Sequence, residues 1–239
     1  MEAILAEFAE VERVETSLLR FPLRTPTLPP ATTTNHYLVG GRRAVEVDPS
    51  TPERPLQDRL CALVERLETT ADWHFEALFL THHHYDHAGA ADVLATRLQL
   101  PVWAHPITAE LLRGQVKIDR LVEDGEVVAE CFDGKTWRAM HTPGHAPGHL
   151  VLLHEDGGMV AGDMVAGEGT ILIDPSDGRM SDYLSSLERM RQREPSYLAP
   201  AHGPVLRDAD QCLRFYCSHR LQREARIAAA LDDQWQADD

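Results

Sequence analysis

Between Thr81 and His87 the chain reads THHHYDH, which places four histidines and an aspartate within seven residues. Neutral imidazole and carboxylate are the usual ligands of zinc and comparable divalent ions, and a catalytic ion keeps a coordination position open for water. If the stretch stays extended, His82 and His84 point the same way, while Asp86 and His87 follow at a turn. These are two donor pairs. One ion cannot easily take all four from a single short loop, so two adjacent ions are implied. The competing account is a polar turn that happens to be histidine-rich, and the test is whether the rest of the chain supplies partners.

Four further polar signals stand where strands are expected to end: HTPGH ending at His145, the following PGH ending at His149, GD at Asp163, and PAHGP around His202. Glycine or proline flanks each of them, and those residues make tight turns and let the backbone approach an ion closely. Surface turns with incidental histidines would explain any one of the four, but they explain the whole set poorly.

The ordered set HxHxDH, TPGH, GD and AHGP resembles the metallo-beta-lactamase superfamily, from about Asn35 to His202. What the resemblance implies is an α/β fold, an αββα sandwich of two mixed β-sheets flanked by helices, with a dinuclear site between the inner sheet edges. Carried over by position, His82, His84 and His145 bind the first metal, Asp86, His87 and His202 the second, and Asp163 bridges them. His83 and Tyr85 fall in unliganded positions. The implied cofactors are two divalent ions, Zn2+ first, with Mn2+ or Fe2+ as alternatives. Their bridging water, lowered in pKa from 15.7 to about 7, supplies hydroxide as the nucleophile. Asp86 and Asp163 are thereby catalytic as well as ligands. His149 joins them as a catalytic candidate, either behind the ligands or facing substrate, and a satisfied histidine at a strand start is the equal alternative. Asp48 is expected to orient the metal loop or cap a turn, and His105 to be structural.

The same resemblance sorts the branches. Class B1 beta-lactamases use a cysteine ligand that is missing at the motif positions here, and class B3 enzymes lack the aspartate supplied by Asp163. Flavodiiron proteins carry glutamate where this chain has His84, which argues against a redox di-iron site. The ligand set looks like that of glyoxalase II, tRNase Z and the quorum-quenching lactonases, although those lactonases have a tyrosine where Ala166 stands. GEGTILIDPSDGRMSDYLSSLERM, LAPAHGPVL and CSHRLQREARI look closest to the lactamase-beta-like branch, which includes endoribonucleases. The leading expectation is therefore a hydrolase of a small ester, thioester, lactone, amide or phosphoester, with beta-lactam cleavage as a side activity. A single-strand endoribonuclease and a noncatalytic metal-binding module are the alternatives.

Several elements must position these residues. FPLRTPTLPPATTTNH, 21 to 36, has four prolines and reads as an extended loop bordering the cleft, as does 165 to 182; Leu28 and Met180 are candidate apolar contacts. HYLVGGRRAVEVDPS reads as a hairpin ending at Asp48, and LQDRLCALVERLETT as a helix with Leu60, Leu63, Val64 and Leu67 on one face. FEALFLT then reads as a buried strand, so the histidine run opens at its carboxyl end, where α/β folds bind ligands. AGAADVLATRLQL, ITAELLRG and DYLSSLERMRQ read as helices, and PVWAH, TWRAMHT, HLVLLHE, GMVAGD, TILID and YLAPAH as strands. Together they suggest two β layers with helices outside.

A catalytic domain is expected over 1–207 and a C-terminal helix, packed on the same domain, over 208–239, with no separate winged-helix domain. Leu213, Cys217, Leu221 and Ala225 form the apolar side of that helix, and Arg220, Arg223 and Arg226 form either a phosphate-holding row or a solvated face. The length, 239 residues, fits one large domain. No apolar run approaches a membrane span, and the acidic, mixed N-terminus is unlike a signal peptide, so a cytoplasmic location is expected. The net charge of −15 opposes attraction to nucleic acid or anionic lipid and points to a small-molecule substrate as the partner. Cys61, Cys131, Cys212 and Cys217 lack zinc-knuckle spacing and read as buried thiols.

Overall fold

The computed structural model describes residues 1–237. In chain order the elements are α1 (Glu2–Glu7), β1 (Glu12–Glu15), β2 (Leu18–Arg24), β3 (Thr33–Val39), β4 (Ala44–Val47), α2 (Arg54–Ala71), β5 (Phe75–Phe79), α3 (Tyr85–Ala88), α4 (Ala91–Leu98), β6 (Val102–Ala104) and α5 (Pro106–Leu111). There follow β7 (Arg120–Leu121), β8 (Val127–Glu130), β9 (Thr136–His141), β10 (Leu150–His154), β11 (Gly158–Gly162), α6 (Met180–Arg191), β12 (Tyr197–Pro200) and α7 (Ala209–Ala237). Strands β1 to β7 form one sheet in sequence order, and the second runs β12-β11-β10-β9-β8. Both are mixed. In the first sheet β1 to β4 pair antiparallel and β4 to β7 parallel; in the second, only β11 and β12 are parallel.

Side-chain alternation gives the interior strands two faces, and in β4 both are buried. In β4, Val45 and Val47 join Phe79, Trp137, Leu150 and Val160 in the core between the sheets, while Ala44 faces the opposite way among Leu60, Leu63 and Leu67 of α2. A proline opens α2 and its apolar residues recur at helical spacing, so one stripe lies on the first sheet. On the far side, α6 and α7 pack Tyr183, Leu187 and Leu213 onto the outer face of the second sheet. The result is the αββα sandwich, helices outside two mixed sheets.

Three sequence expectations are corrected. Residues 21 to 36 are not one loop, because Phe21–Arg24 finish β2 and Thr33–His36 begin β3, leaving only 25 to 32 irregular. Pro22 is tolerated there because β1 stops pairing at Arg20, so β2 has a single partner strand at the proline. TILID, 170 to 174, is not a strand either; it lies in the irregular connection between β11 and α6, with Ile171 buried and Leu172 exposed. On α7, Leu213 is buried but Leu221 is 55% exposed and Ala225 is also exposed, so packing ends at about Arg220. The last two positions of the expected C-terminal helix, 238 and 239, lie outside the described residues. Among the described residues no helix is long and apolar enough to cross a membrane.

The two sheets are stapled near the end of β12. The Asn35 side-chain amide donates to the carbonyls of Pro200 and Gly203, both at 2.8 Å, and its backbone N–H donates to Ala201 at 2.7 Å. The Tyr37 hydroxyl donates to the same Pro200 carbonyl at 2.8 Å. The Pro200 contacts are buried and that to Gly203 is half-buried; losing Asn35 removes the side-chain donor to Gly203, whereas Pro200 has two donors. Asn35→Ala is expected to cost about 1–3 kcal/mol of stability and Tyr37→Phe about 0.5–1.5, because Pro200 keeps the Asn35 bond. Denaturant unfolding of the two variants checks the order.

Candidate metal centre

Parallel pairing brings the carboxyl ends of β4 and β5 side by side, and those of β11 and β12 opposite them. The THHHYDH run leaves β5 at that edge, bends at Thr81 and His83, is extended at His84 and turns into the short helix α3, which carries Asp86 and His87. His145 comes from the β9–β10 connection, Asp163 directly follows β11, and His202 follows β12. Gly162 before Asp163 has φ +50, and a Cβ there would meet His149 Nε2 at 2.5 Å. Only glycine fits that turn.

Each of the five motif histidines has one ring nitrogen held by a partner that accepts a proton. His87 Nδ1 donates to the Asp48 carboxylate at 2.8 Å, and His82 Nδ1 to the Thr81 hydroxyl at 2.9 Å. Thr81 in turn donates its N–H and O–H to Asp48, both at 2.8 Å. His145 Nδ1 donates to the Leu172 carbonyl at 2.8 Å, His202 Nδ1 to the Thr33 carbonyl at 3.0 Å, and His84 Nε2 to Asp177 at 2.6 Å. Such partners fix the tautomer and leave the other nitrogen with a bare lone pair.

Those bare nitrogens converge. His82 Nε2, His84 Nδ1 and His145 Nε2 lie 3.0 to 3.3 Å apart, three lone pairs facing one another. The second group is Asp86, His87 and His202, with His202 Nε2 at 3.5 Å from Asp86 and His87 Nε2 at 3.9 Å. Asp163 stands between them: Oδ1 is 3.5 Å from His87 Nε2 and 3.4 Å from His202 Nε2, while Oδ2 is 3.4 Å from His145 Nε2. His87 Nε2 and Asp163 Oδ1 are buried without a hydrogen-bond partner. Orphaned lone pairs facing each other are costly unless a cation lies among them. The donor set therefore fits two divalent ions sharing Asp163.

Electrostatics divides the histidines. Burial, reinforced by neighbouring histidines, holds His82 well below its ordinary value, and burial lowers His145 and His149 too, so these rings are neutral near pH 7. Burial also pushes His87 and His202 down, but Asp163, joined at His87 by Asp48 and Asp86, outweighs it and raises both, so in the ion-free protein the nitrogen facing Asp163 takes up a proton that a divalent ion would displace. For Asp163, burial pushes the carboxyl up, and His87 with His202 overcomes this to hold it well below the usual range.

The structure places the other candidates differently. His149 does not face substrate: it is fully buried, donates to Thr142 Oγ1 at 2.9 Å and accepts the Asp163 backbone N–H at 3.1 Å. It holds the backbone of Asp163 from behind. Asp48 holds Thr81 and the candidate ligand His87 by hydrogen bonds. Met180 opens α6 and lines a neighbouring groove, whereas Leu28 does line the cleft over the metal centre, a cavity of about 740 Å³. Arg220 is neither solvated nor part of a phosphate row; it is buried, donates to the Ile171 carbonyl and lies over the Tyr183 ring. His105 stacks on His141 at 4.2 Å and accepts the Ile107 N–H at the start of α5. Sequence reasoning missed Asp177 and Thr81. Asp177 is 93 residues from His84, and nothing in DPSDG announces the pairing.

The model of the metallo-beta-lactamase superfamily matches residues 29–202. The Drosophila melanogaster "Beta-lactamase-like protein 2 homolog" is 28% identical over 233 residues, covering 93% of this chain and 76% of that protein. An "Atrochrysone carboxyl ACP thioesterase" of Cryptosporiopsis sp. is 27% identical, covering 97% and 68%. Among solved structures, TTHA1623 in a di-iron-bound form aligns with a TM-score of 0.61 at 28% identity, covering 78% of this chain and 94% of that one.

Because Asp48 fixes His87 and, through Thr81, His82, Asp48→Ala is expected to weaken metal binding about 10–100-fold, measured by equilibrium dialysis. His105 gives a pH signature. Burial, and next the ring of His141, pushes it down to about 4 from the ordinary 6.5. The unfolded chain therefore takes the proton more readily, and stability present above pH 6.5 is lost as pH falls towards about 4. His105→Asn keeps an acceptor for Ile107 and removes the titrating group. Its melting temperature should fall less steeply than wild type across that window.

Proposed function

The chain belongs to the metallo-beta-lactamase superfamily, and on that premise we propose that it is a dinuclear metal-dependent hydrolase of a small ester, thioester, lactone, amide or phosphoester. The observation that carries this reading is the pair of bare donor sets sharing Asp163 at the floor of an open cleft. His82, His84 and His145 would hold one divalent ion, Asp86, His87 and His202 the other, and Asp163 both. Bound there, such ions, zinc first and manganese or iron as alternatives, supply an activated water near neutral pH and polarise the scissile bond.

The chain's own side chains do the rest. His149 fixes the backbone of Asp163, so the shared carboxylate cannot swing away from the two donor sets. Asp48 keeps the proton of His87 on Nδ1, away from the cleft. Asp86 is the more open of the two carboxylates, 18% exposed against 10% for Asp163. It is therefore the group placed to take a proton from the attacking water and pass it to the leaving atom. The thioesterase among the relatives supports an acyl ester or thioester within this range. The partner in this reading is a small molecule.

The test combines metal analysis with turnover on a panel of such esters. Two ions per chain are expected, with His84→Ala and Asp163→Ala each losing more than about a hundredfold in kcat/KM, the upper range for residues that merely support a ligand. Full activity in either variant would overturn the site. Tight metal binding without hydrolysis of any panel member would favour a noncatalytic module.

A further inference from the structure

We infer that the cleft takes an uncharged or cationic acyl substrate with an apolar chain, and discriminates against substrates that bring negative charge to its walls. The inference rests on the hydrolase reading above and specifies its substrate class. One wall comes from the loop between β2 and β3 and the other from the connection between β11 and α6. Leu28, Pro29, Pro30, Ile171, Leu172 and Tyr85 supply the cleft's apolar lining, and Gly169 lies against Pro30 where the two segments meet. Leu28 is 66% exposed and Tyr85 60%, large apolar surface left open to solvent at the entrance. An apolar chain laid against them removes that surface from water.

The charged groups on the same walls all have one sign. Glu168, Asp174 and Asp177 line the cleft, and among the described residues no lysine or arginine does. Asp86 and Asp163 would balance two of the four positive charges that a pair of divalent ions brings, and a bound hydroxide a third; the three wall carboxylates outnumber the one that remains. Asp177 shares its charge with His84. Asp174 accepts the Ser176 N–H and hydroxyl at 2.9 and 2.7 Å, which holds it ionised, and Glu168 forms no ion pair among the described residues. Arg220, which reaches the same connection, is buried on the Ile171 carbonyl and does not line the cleft. A cleft with low-dielectric walls of one sign concentrates that potential on what enters. The phosphate-rich substrates of a ribonuclease would need the opposite lining.

The experiment uses the metal-loaded protein and three para-nitrophenyl esters of equal chain length: hexanoate, 6-aminohexanoate and the half-ester of adipic acid. The expected kcat/KM of the carboxylate-ended ester is roughly tenfold or more below the hexanoate, with the amine-ended ester equal to or above it. The gap should narrow with added salt, because exposed charges are screened. In the double variant Glu168→Gln/Asp174→Asn, the ratio of hexanoate to adipate rates should fall towards one. Equal or faster cleavage of the carboxylate-ended ester, with a ratio insensitive to salt and to the variant, overturns the inference. So does competitive inhibition by a short single-stranded RNA at physiological salt. Binding of the same three chains as uncleavable para-nitrophenyl ethers, followed by dialysis, separates this idea from the hydrolase reading. Weaker binding of the carboxylate ether supports the inference even if no ester is cleaved, and equal or tighter binding overturns it.

Discussion

The carboxylate of Asp48 is the contact on which the candidate metal centre depends. It is buried at the end of β4, in a left-handed conformation with φ +57, and it accepts three hydrogen bonds from Thr81 and His87. A buried carboxylate is tolerable only when its oxygens are satisfied in this way. Because β4 and β5 are parallel neighbours, the loop after one strand reaches the loop after the other at the same edge. Asp48 uses that adjacency to place protons: one on His87 Nδ1 and, by way of the Thr81 hydroxyl, one on His82 Nδ1. Both rings then present Nε2 to the cleft. A fold that delivered the histidines without this carboxylate would leave their tautomers to chance.

The same economy extends to the cleft walls. The second nitrogens of His145 and His84 hold the Leu172 carbonyl and Asp177, both in the connection between β11 and α6. His202 holds the Thr33 carbonyl at the base of the opposite wall. Long irregular segments normally leave backbone groups to water. Here the candidate ligands bind them, so the walls and the metal cradle are fastened by the same rings. Opposite, the Leu150 N–H donates to the Thr81 carbonyl and Asn35 staples β3 to the turn carrying His202, which ties the two sheets together on both sides of the site.

Much of the cradle is legible in the sequence because metal chemistry restricts it to few residue types at strand ends. HxHxDH, His145, Asp163 and His202 could be read before any fold was known, as could the α2 stripe of Leu60, Leu63 and Leu67. Supporting contacts are less legible. Asp177 reaches His84 across 93 residues, and no spacing rule connects an aspartate in a turn with a distant imidazole. His149 illustrates another limit: its place beside His145 suggests the cleft, but β10 begins at the next residue and draws the ring beneath Gly162. TILID misleads for a related reason. Its apolar residues serve a wall, with Ile171 turned in and Leu172 turned out, and that alternation imitates a strand without any ladder. Phe21–Arg24 is the converse case, prolines masking a strand that pairs on one side only.

The contrast between cradle and walls explains how one set of ligands can serve different substrates. The candidate ligands His145 and Asp163 follow glycines with no room for a side chain: a Cβ on Gly144 would meet the Tyr183 backbone at 2.2 Å, and one on Gly162 would meet His149 at 2.5 Å. Packing therefore fixes the reactive geometry in place. The walls are different. Glu168, Leu172 and Asp174 are exposed and project from irregular chain, so their side chains can change without disturbing either sheet. Family membership accordingly speaks to the cradle, while selectivity is written in the walls. At this site the walls combine exposed apolar side chains with Glu168 and Asp174, which no lysine or arginine on the same cleft offsets among the described residues.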